Sequence, residues 1–505
     1  MKSIPNWLGM QALAAVLASV FMISQSPAAD TFTTIYSFCT TSQSTYCSAD
    51  GQLPVSLIQA NDGDFYGTTD NGGTGSWGTV FKITSGGTLT SLYSFCSPDT
   101  HPNCPDGDVP ALLTQSTDGD FYGLTTWGGS KGDGTLFEMT PGSTRTTIHN
   151  FCSRAGCTDG DSPSGLVRAV NGMLYGTAGG GINGYGILYR IDPNGGLTTL
   201  YNFCSQTNCT DGGSPFTLIQ GADGDFYGTT SVGGTGAGEP SSGGVSVGGI
   251  VFEITSSGVM TTLYNFCSQS NCTDGRFPAG LIQATDGDFY GVALEGGANN
   301  YGSVFKLTPG GALTTLYSFC SESTTKTKCT DGGTPTEIIQ ASDGNLYGTT
   351  RAGGAIDGAG TVFKMTRSGG KLAKLYTFCT RSNHRGCPDG ESPDVLIQAT
   401  DGSFYGATYQ GGAVGAGTIF NLSTGLGPFV ETQTSAGAVG SPVNILGNNL
   451  TGASSVTFNG IGAAFTVVSD SEITATIPSG ATTGIVEVTT PAGTLESNKR
   501  FMVRQ

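Results

Sequence analysis

One phrase recurs seven times along the chain: DGDFYG at 62–67 and 118–123, NGMLYG at 171–176, DGDFYG at 223–228 and 286–291, DGNLYG at 343–348 and DGSFYG at 401–406. Its tyrosine (Tyr66, Tyr122, Tyr175, Tyr227, Tyr290, Tyr347, Tyr405) returns every 52 to 63 residues. A period of this size means that one supersecondary unit is copied and stacked, because a single copy cannot bury its own faces.

The second copy shows what the unit is. Ala111–Gln115 reads as a short apolar strand, and Thr117–Asp120 as an Asp-Gly hairpin turn. Phe121–Thr126 is a second strand, and 127–133 is a glycine-rich loop. Gly134–Met139 and Arg145–Phe151 are the third and fourth strands, joined by Pro141-Gly142. The 82 glycines, more than twice ordinary usage, supply the tight turns, and no long stretch after the N-terminus carries a 3.6-residue apolar period. Four short antiparallel strands, apolar on both faces, make a propeller blade whose faces pack on its neighbours.

Strand counting closes the ring. There are seven LIQ-like strands, from Leu57-Ile58-Gln59 to Leu396-Ile397-Gln398, and seven GTVF-like strands, from 78–81 to 417–420. There are also seven TTLYSF-like strands, but the first, Thr33–Phe38, precedes the first LIQ strand, and the last unit lacks its own. The fold class expected is all-β: a seven-bladed β-propeller of four-stranded blades at 30–424, with the N-terminal strand completing the last blade. An open solenoid would leave that strand without a place.

Residues 1–29 read as a secretory signal peptide: a basic Lys2, an apolar Leu8–Ile23 and small residues Ala28-Ala29. No later stretch reaches the roughly 18 apolar residues of a membrane helix, so the mature chain is expected without a transmembrane segment, secreted or at the cell surface. The fourteen cysteines fall as one local pair per repeat: Cys39 with Cys47, Cys96 with Cys104, Cys152 with Cys157, Cys204 with Cys209, Cys267 with Cys272, Cys320 with Cys329 and Cys379 with Cys387. Each pair brackets the same loop, which predicts seven local disulfides, each worth about 2–3 kcal/mol by loop closure.

Chain order puts the cysteine loops and glycine-rich loops at one end of the strands, and the Asp-Gly hairpins at the other. A net charge of −17 argues against a nucleic-acid partner. His101, His149 and His384 share no motif, and the G-x-S-x-G match at 128–132 sits in a glycine loop rather than on a strand-to-helix turn. No catalytic constellation emerges. Each cysteine loop carries an Asp-Gly, at Asp50, Asp106, Asp159, Asp211, Asp274, Asp331 and Asp389. Seven carboxylates at one end of a ring could bind Ca2+, the one cofactor the sequence suggests; Asp-Gly is also the commonest turn filler, its Asp side chain bonding its own backbone, and the turn role is the one favoured. Aromatic side chains in the glycine-rich loops are the candidate ligand-binding residues. Trp77, Tyr185 and Tyr301 stand just before the third strand, and Trp127 and Tyr409 stand earlier in their loops. They suit stacking on sugar faces, or capping of the core between blades.

From residue 428 the repeat gives way to short alternating strands: 443–447, 455–460, 464–468, 472–477, 484–488 and 501–503. A small β-sandwich at 428–505 is expected. VNILGNNLTGASSVTFNG and SEITATIPSGATTGIVEVTTPAGT resemble an IPT/TIG domain, which implies an immunoglobulin-like fold. FYGTT, the Gly-Gly loop, GTVFKIT and LTTLYSF resemble the GloVer tandem repeat of bacterial choice-of-anchor exported proteins, a resemblance that brings no catalytic residues. The function expected is therefore non-catalytic binding or adhesion outside the cell, toward a glycan or protein. The alternatives are a carbohydrate-active enzyme with acids around the axis, and a structural component of the cell envelope.

Overall fold

The computed structural model describes residues 30–40, 47, 49–97, 104–192, 194–236, 247–322, 329–354, 358–380 and 386–504. The signal-peptide segment, His101, His384 and part of the long loop of blade 4 lie outside the described residues.

Seven four-stranded antiparallel sheets follow one another. Blade 1 consists of Gln52–Gln59, Phe65–Asn71, Thr79–Ile83 and Leu89–Ser94, in that order. The first strand of each blade touches the first strands of both neighbouring blades, and that of blade 7 (Glu391–Gln398) touches that of blade 1. First strands therefore line an axis, and the ring closes. Blade 7 takes its outer strand from the N-terminus: Thr31–Ser37 pairs antiparallel with Thr418–Ser423.

All seven expected disulfides form, each within its own loop. Cys39 is bonded to Cys47, Cys96 to Cys104, Cys152 to Cys157 and Cys204 to Cys209. Cys267 is bonded to Cys272, Cys320 to Cys329 and Cys379 to Cys387. The second cysteine of each pair also anchors the neighbouring glycine-rich loop through its backbone. The carbonyls of Cys47, Cys104, Cys157, Cys209, Cys272, Cys329 and Cys387 accept the N–H groups of Gly73, Gly129, Gly181, Gly234, Gly297, Gly354 and Gly412, at 2.7–3.0 Å. The cysteines therefore join two loops of one repeat, and none serves as a ligand-binding thiol.

The FY dipeptide explains the packing between blades. Its tyrosine stacks on the phenylalanine of the next blade, as Tyr66 does on Phe121 at 4.4 Å, Tyr227 on Phe289 at 4.3 Å and, across the closure, Tyr405 on Phe65 at 4.2 Å. The third-strand phenylalanines (Phe81, Phe137, Phe252, Phe305, Phe363, Phe420) are fully buried. Each such side chain removed from water contributes about 2–3 kcal/mol.

The inner strands are longer than the sequence reading gives them. That of blade 2 spans Asp108–Gln115 and runs through Pro110. Proline is tolerated because the residue before it turns left-handed (φ 53° at Val109, 60° at Leu53, 52° at Thr334), a conformation disfavoured before proline. Its N–H is held by a carbonyl of the preceding blade: Val109 donates to Trp77 O, Thr334 to Tyr301 O and Leu53 to Ala416 O. The proline ring then lies against the glycine that opens the preceding blade's third strand. A Cβ at Gly302 would stand 2.4 Å from Pro335 Cδ, and one at Gly417 2.4 Å from Pro54 Cδ. Every seam repeats this Gly–Pro contact.

The tail forms two four-stranded sheets and a small two-stranded one. Pro442–Leu446 pairs with Glu472–Thr476, and Ser455–Phe458 with Val486–Thr490, around a core that includes Ile445, Phe458, Ile473, Val488 and Phe501. Gly493–Glu496 adds an edge strand, and Ala436–Ala438 pairs in parallel with Met502–Arg504, features absent from the sequence reading.

Candidate functional site

The two ends of the ring differ. At the hairpin end, the terminal glutamine of each inner strand clasps the preceding blade. Gln115 Oε1 accepts the N–H of Asn61 at 2.9 Å, Gln283 that of Ala222 at 2.7 Å and Gln398 that of Ser342 at 2.8 Å, while each Nε2 ties down its own hairpin carbonyl. Blade 3 departs, with Arg168 reaching only Thr117 Oγ1 at 3.4 Å.

The sandwich docks on this end. Asn61 Nδ2 donates to both Glu472 oxygens at 3.3 Å, Ser471 Oγ to Asn61 O at 2.7 Å, Asn444 Nδ2 to Thr117 O at 2.9 Å and Asn448 Nδ2 to Thr400 Oγ1 at 2.7 Å. These bonds reach blades 7, 1 and 2. On the far side the sandwich faces blades 5 and 6 across a polar cleft of about 450 Å³ lined by Thr285, Ser342, Asn498 and Arg500. A body that meets hairpins on opposite sides of the ring overlies its axis, so the loop end is the open one.

At the loop end, the seven cysteine-loop aspartates turn inward. Tyr36 Oη donates to Asp50 at 2.7 Å, Tyr93 to Asp106 at 2.9 Å, Tyr201 to Asp211 at 2.7 Å, Tyr264 to Asp274 at 2.9 Å, Tyr317 to Asp331 at 2.7 Å and Tyr376 to Asp389 at 2.8 Å. Backbone N–H groups of the same loop add bonds, for example Cys39 to Asp50 and Ser268 to Asp274, both at 2.9 Å. On the outer strand of blade 2 His149 takes the tyrosine's place, 3.5 Å from Asp159, with its pKa lowered chiefly by burial. For Asp159 and Asp211 burial pushes the pKa upward, and donation from serine and backbone outweighs it, leaving both below the usual value. Each carboxylate is thus engaged inside its own repeat, fastening the cysteine loop to the outer strand, and the structure brings no two of them together. Among the described residues, the grouping within metal-ligating reach is Asp133 with the sulfurs of Cys152 and Cys157, and those sulfurs are bonded to each other.

The aromatic candidates divide. Trp77, Tyr185 and Tyr301 lie at the blade seams; the Tyr185 and Tyr301 rings rest against Gly213 and Gly333 of the next inner strand. Tyr301 keeps 36% of its surface and Trp127 keeps 49%. Trp127 and Tyr409 belong to second strands (Phe121–Trp127, Phe404–Gln410) rather than to loops, because the ladder holds up to the glycine pair that follows.

Sequence reasoning missed a polar group nearer the axis. Arg351, at the end of blade 6's second strand, grips Asp394 of blade 7 through Nε and Nη2, both at 2.6 Å. Tyr409 Oη donates to Asp70 of blade 1 at 2.9 Å. Burial raises the Asp70 pKa against that donation and carries Tyr409 to about 12. These residues vary from blade to blade, and the missed signal was that variation within an otherwise repeated frame.

Comparison with known proteins agrees with the architecture. The model of the Gloeobacter/Verrucomicrobia repeat matches residues 16–239 and 238–461, and that of the IPT/TIG domain matches 428–501. No curated protein matches. Among solved structures, virginiamycin B lyase from Staphylococcus aureus is 15% identical, over 74% of this chain and 95% of that one, with a TM-score of 0.47. Two extracellular domains from Bacteroides thetaiotaomicron, of proteins described as the hybrid two component systems BT3049 and BT4673, are 12% and 11% identical. They cover 88% and 95% of this chain with TM-scores of 0.46 and 0.48, and the chain spans 52% and 60% of their length. At these identities and scores the likenesses carry no functional argument.

Proposed function

Because this chain belongs to the family of Gloeobacter/Verrucomicrobia repeat proteins and carries an IPT/TIG domain behind its repeats, we propose that it is an exported, non-catalytic binding protein that engages an extracellular glycan or protein with the loop end of its propeller. The observation that carries the reading is the distribution of exposed apolar side chains. Of the nine large ones among the described residues, Trp127, Ile182, Phe216, Tyr301 and Val414 belong to the loop half of the ring. Apolar surface concentrated on one face of a rigid scaffold marks an interaction site. Seven disulfides suit an oxidising compartment outside the cytosol, and no helix among the described residues is long and apolar enough to cross a membrane.

The test is a glycan and surface-protein array probed with the mature chain and with a Trp127→Ala, Tyr301→Ala double variant. Capture that the double variant loses supports the reading, and capture that it retains in full overturns it. A second reading, a carbohydrate-active enzyme, draws on Glu337 and Asp394 of adjacent inner strands. The two-pronged grip of Arg351 on Asp394 engages both carboxylate oxygens, an arrangement better suited to holding a ligand than to moving a proton.

A further inference from the structure

We propose that the propeller axis, in its loop half, seats one neutral saccharide unit, its apolar face on Phe216 and its hydroxyls on Glu337, Asp394 and Arg351. The inference rests on the loop-end reading above and adds the site and the ligand class.

The geometry begins with a bulge. Every inner strand slips register directly after its proline, between Pro54 and Ser56, Pro215 and Leu218, Pro335 and Glu337, Pro393 and Val395 and the equivalent places in the other blades. A bulge leaves a residue outside the ladder and re-aims side chains. Seven bulges at one height therefore release a ring of side chains beside the axis. The ring is not uniform. Blade 4 supplies Phe216, which keeps 55% of its surface although it sits on an innermost strand, so the axis is open at this height. Blades 3 and 5 carry small residues at the equivalent place after the proline, Ser164 and Ala279. Blades 6 and 7 supply Glu337 and Asp394, the latter held by Arg351.

The chemistry of this wall selects the ligand. Arg351 and Asp394 cancel each other's charge. Glu337 is partly buried, and desolvation raises its pKa, against donation from the Ile338 N–H and with help from the Asp394 charge, to about 8. At neutral pH it carries a proton and can both donate and accept. One wall thus offers donors and acceptors without net charge, and the other offers an aromatic face. A ligand with hydroxyls on its rim and C–H groups on its face meets both demands; an anion would meet Asp394, and a cation would meet Arg351.

The experiment is calorimetric titration of the mature chain with neutral mono- and disaccharides, beside glucuronate and glucosamine as charged controls. Binding of a neutral sugar, weakened at least tenfold by Phe216→Ala and by Glu337→Ala and unchanged by Val259→Ala in the exposed outer hairpin of blade 4, is the expected result. Phe216→Leu, which preserves volume and removes the ring, guards against loss of folding, with unfolding midpoints as the control. No binding of any neutral sugar, or binding indifferent to both axial variants, overturns the axial assignment. The loop-end reading fails separately, on array capture that survives loss of Trp127 and Tyr301.

Discussion

The backbone N–H of Thr400, in the hairpin of blade 7, donates to Oε1 of Gln59 in blade 1 at 2.9 Å. This bond is the glutamine clasp at the junction where the first and last repeats meet. Gln59→Ala leaves the Thr400 N–H and the Gly63 carbonyl without their partner and is expected to cost about 1–2 kcal/mol. Arg168→Gln, which would supply the clasp that blade 3 lacks, is expected to add about 0.5–1 kcal/mol. Denaturant midpoints of the two variants, moving in opposite directions, check both.

Glycine matters at the seams for two reasons, and they can be separated. Gly302 has φ +91° and sits against the Pro335 ring, whereas Gly415 has φ +85° and nothing within 4 Å of its would-be Cβ. Gly302→Ala combines backbone strain with overpacking and should destabilise by about 2–4 kcal/mol. Gly415→Ala carries the strain alone, about 1–2 kcal/mol. Equal midpoints for the two would remove the steric role assigned to the Gly–Pro contact.

The aspartate loops yield a chelation prediction. Asp274 accepts from Tyr264, Ser268 and Gln269, so EDTA should leave the unfolding midpoint unchanged. Asp274→Asn turns an NH2 toward one of those donors and should cost about 1–3 kcal/mol. A calcium-dependent midpoint would instead assign these carboxylates to a cation.

Glu337 gives a pH signature. Its folded pKa of about 8 lies above its usual 4.5, so its contribution is fully present below pH 4.5 and fades as pH rises through 8. Stability should therefore fall over that window more steeply in the native chain than in Glu337→Gln. Parallel pH–stability curves would show that the axial carboxyl is not held neutral.

Periodicity made the ring legible in the sequence. Seven copies fixed the blade count, the orphan strand Thr33–Phe38 announced the closure, and cysteine spacing named every disulfide. The inner-strand start was hidden because Pro110 and its equivalents argue against a strand, and only a left-handed residue braced by the neighbouring blade makes them compatible. The Tyr–Asp pairs were hidden for another reason: Tyr264 and Asp274 are ten residues apart, on a strand and in a loop, and meet only once the disulfide folds the loop back. The axial residues are the hardest case. Phe216, Glu337 and Asp394 are departures from a repeat whose regularity drew attention elsewhere.

The docking of the sandwich also constrains how such chains can change length. Its side chains are spaced to reach Thr400, Asn61 and Thr117, on three consecutive blades, at once. Inserting or deleting a repeat would alter the angle between neighbouring blades and carry those anchors out of step, so duplication within the repeat array is penalised by a domain that contains none of it.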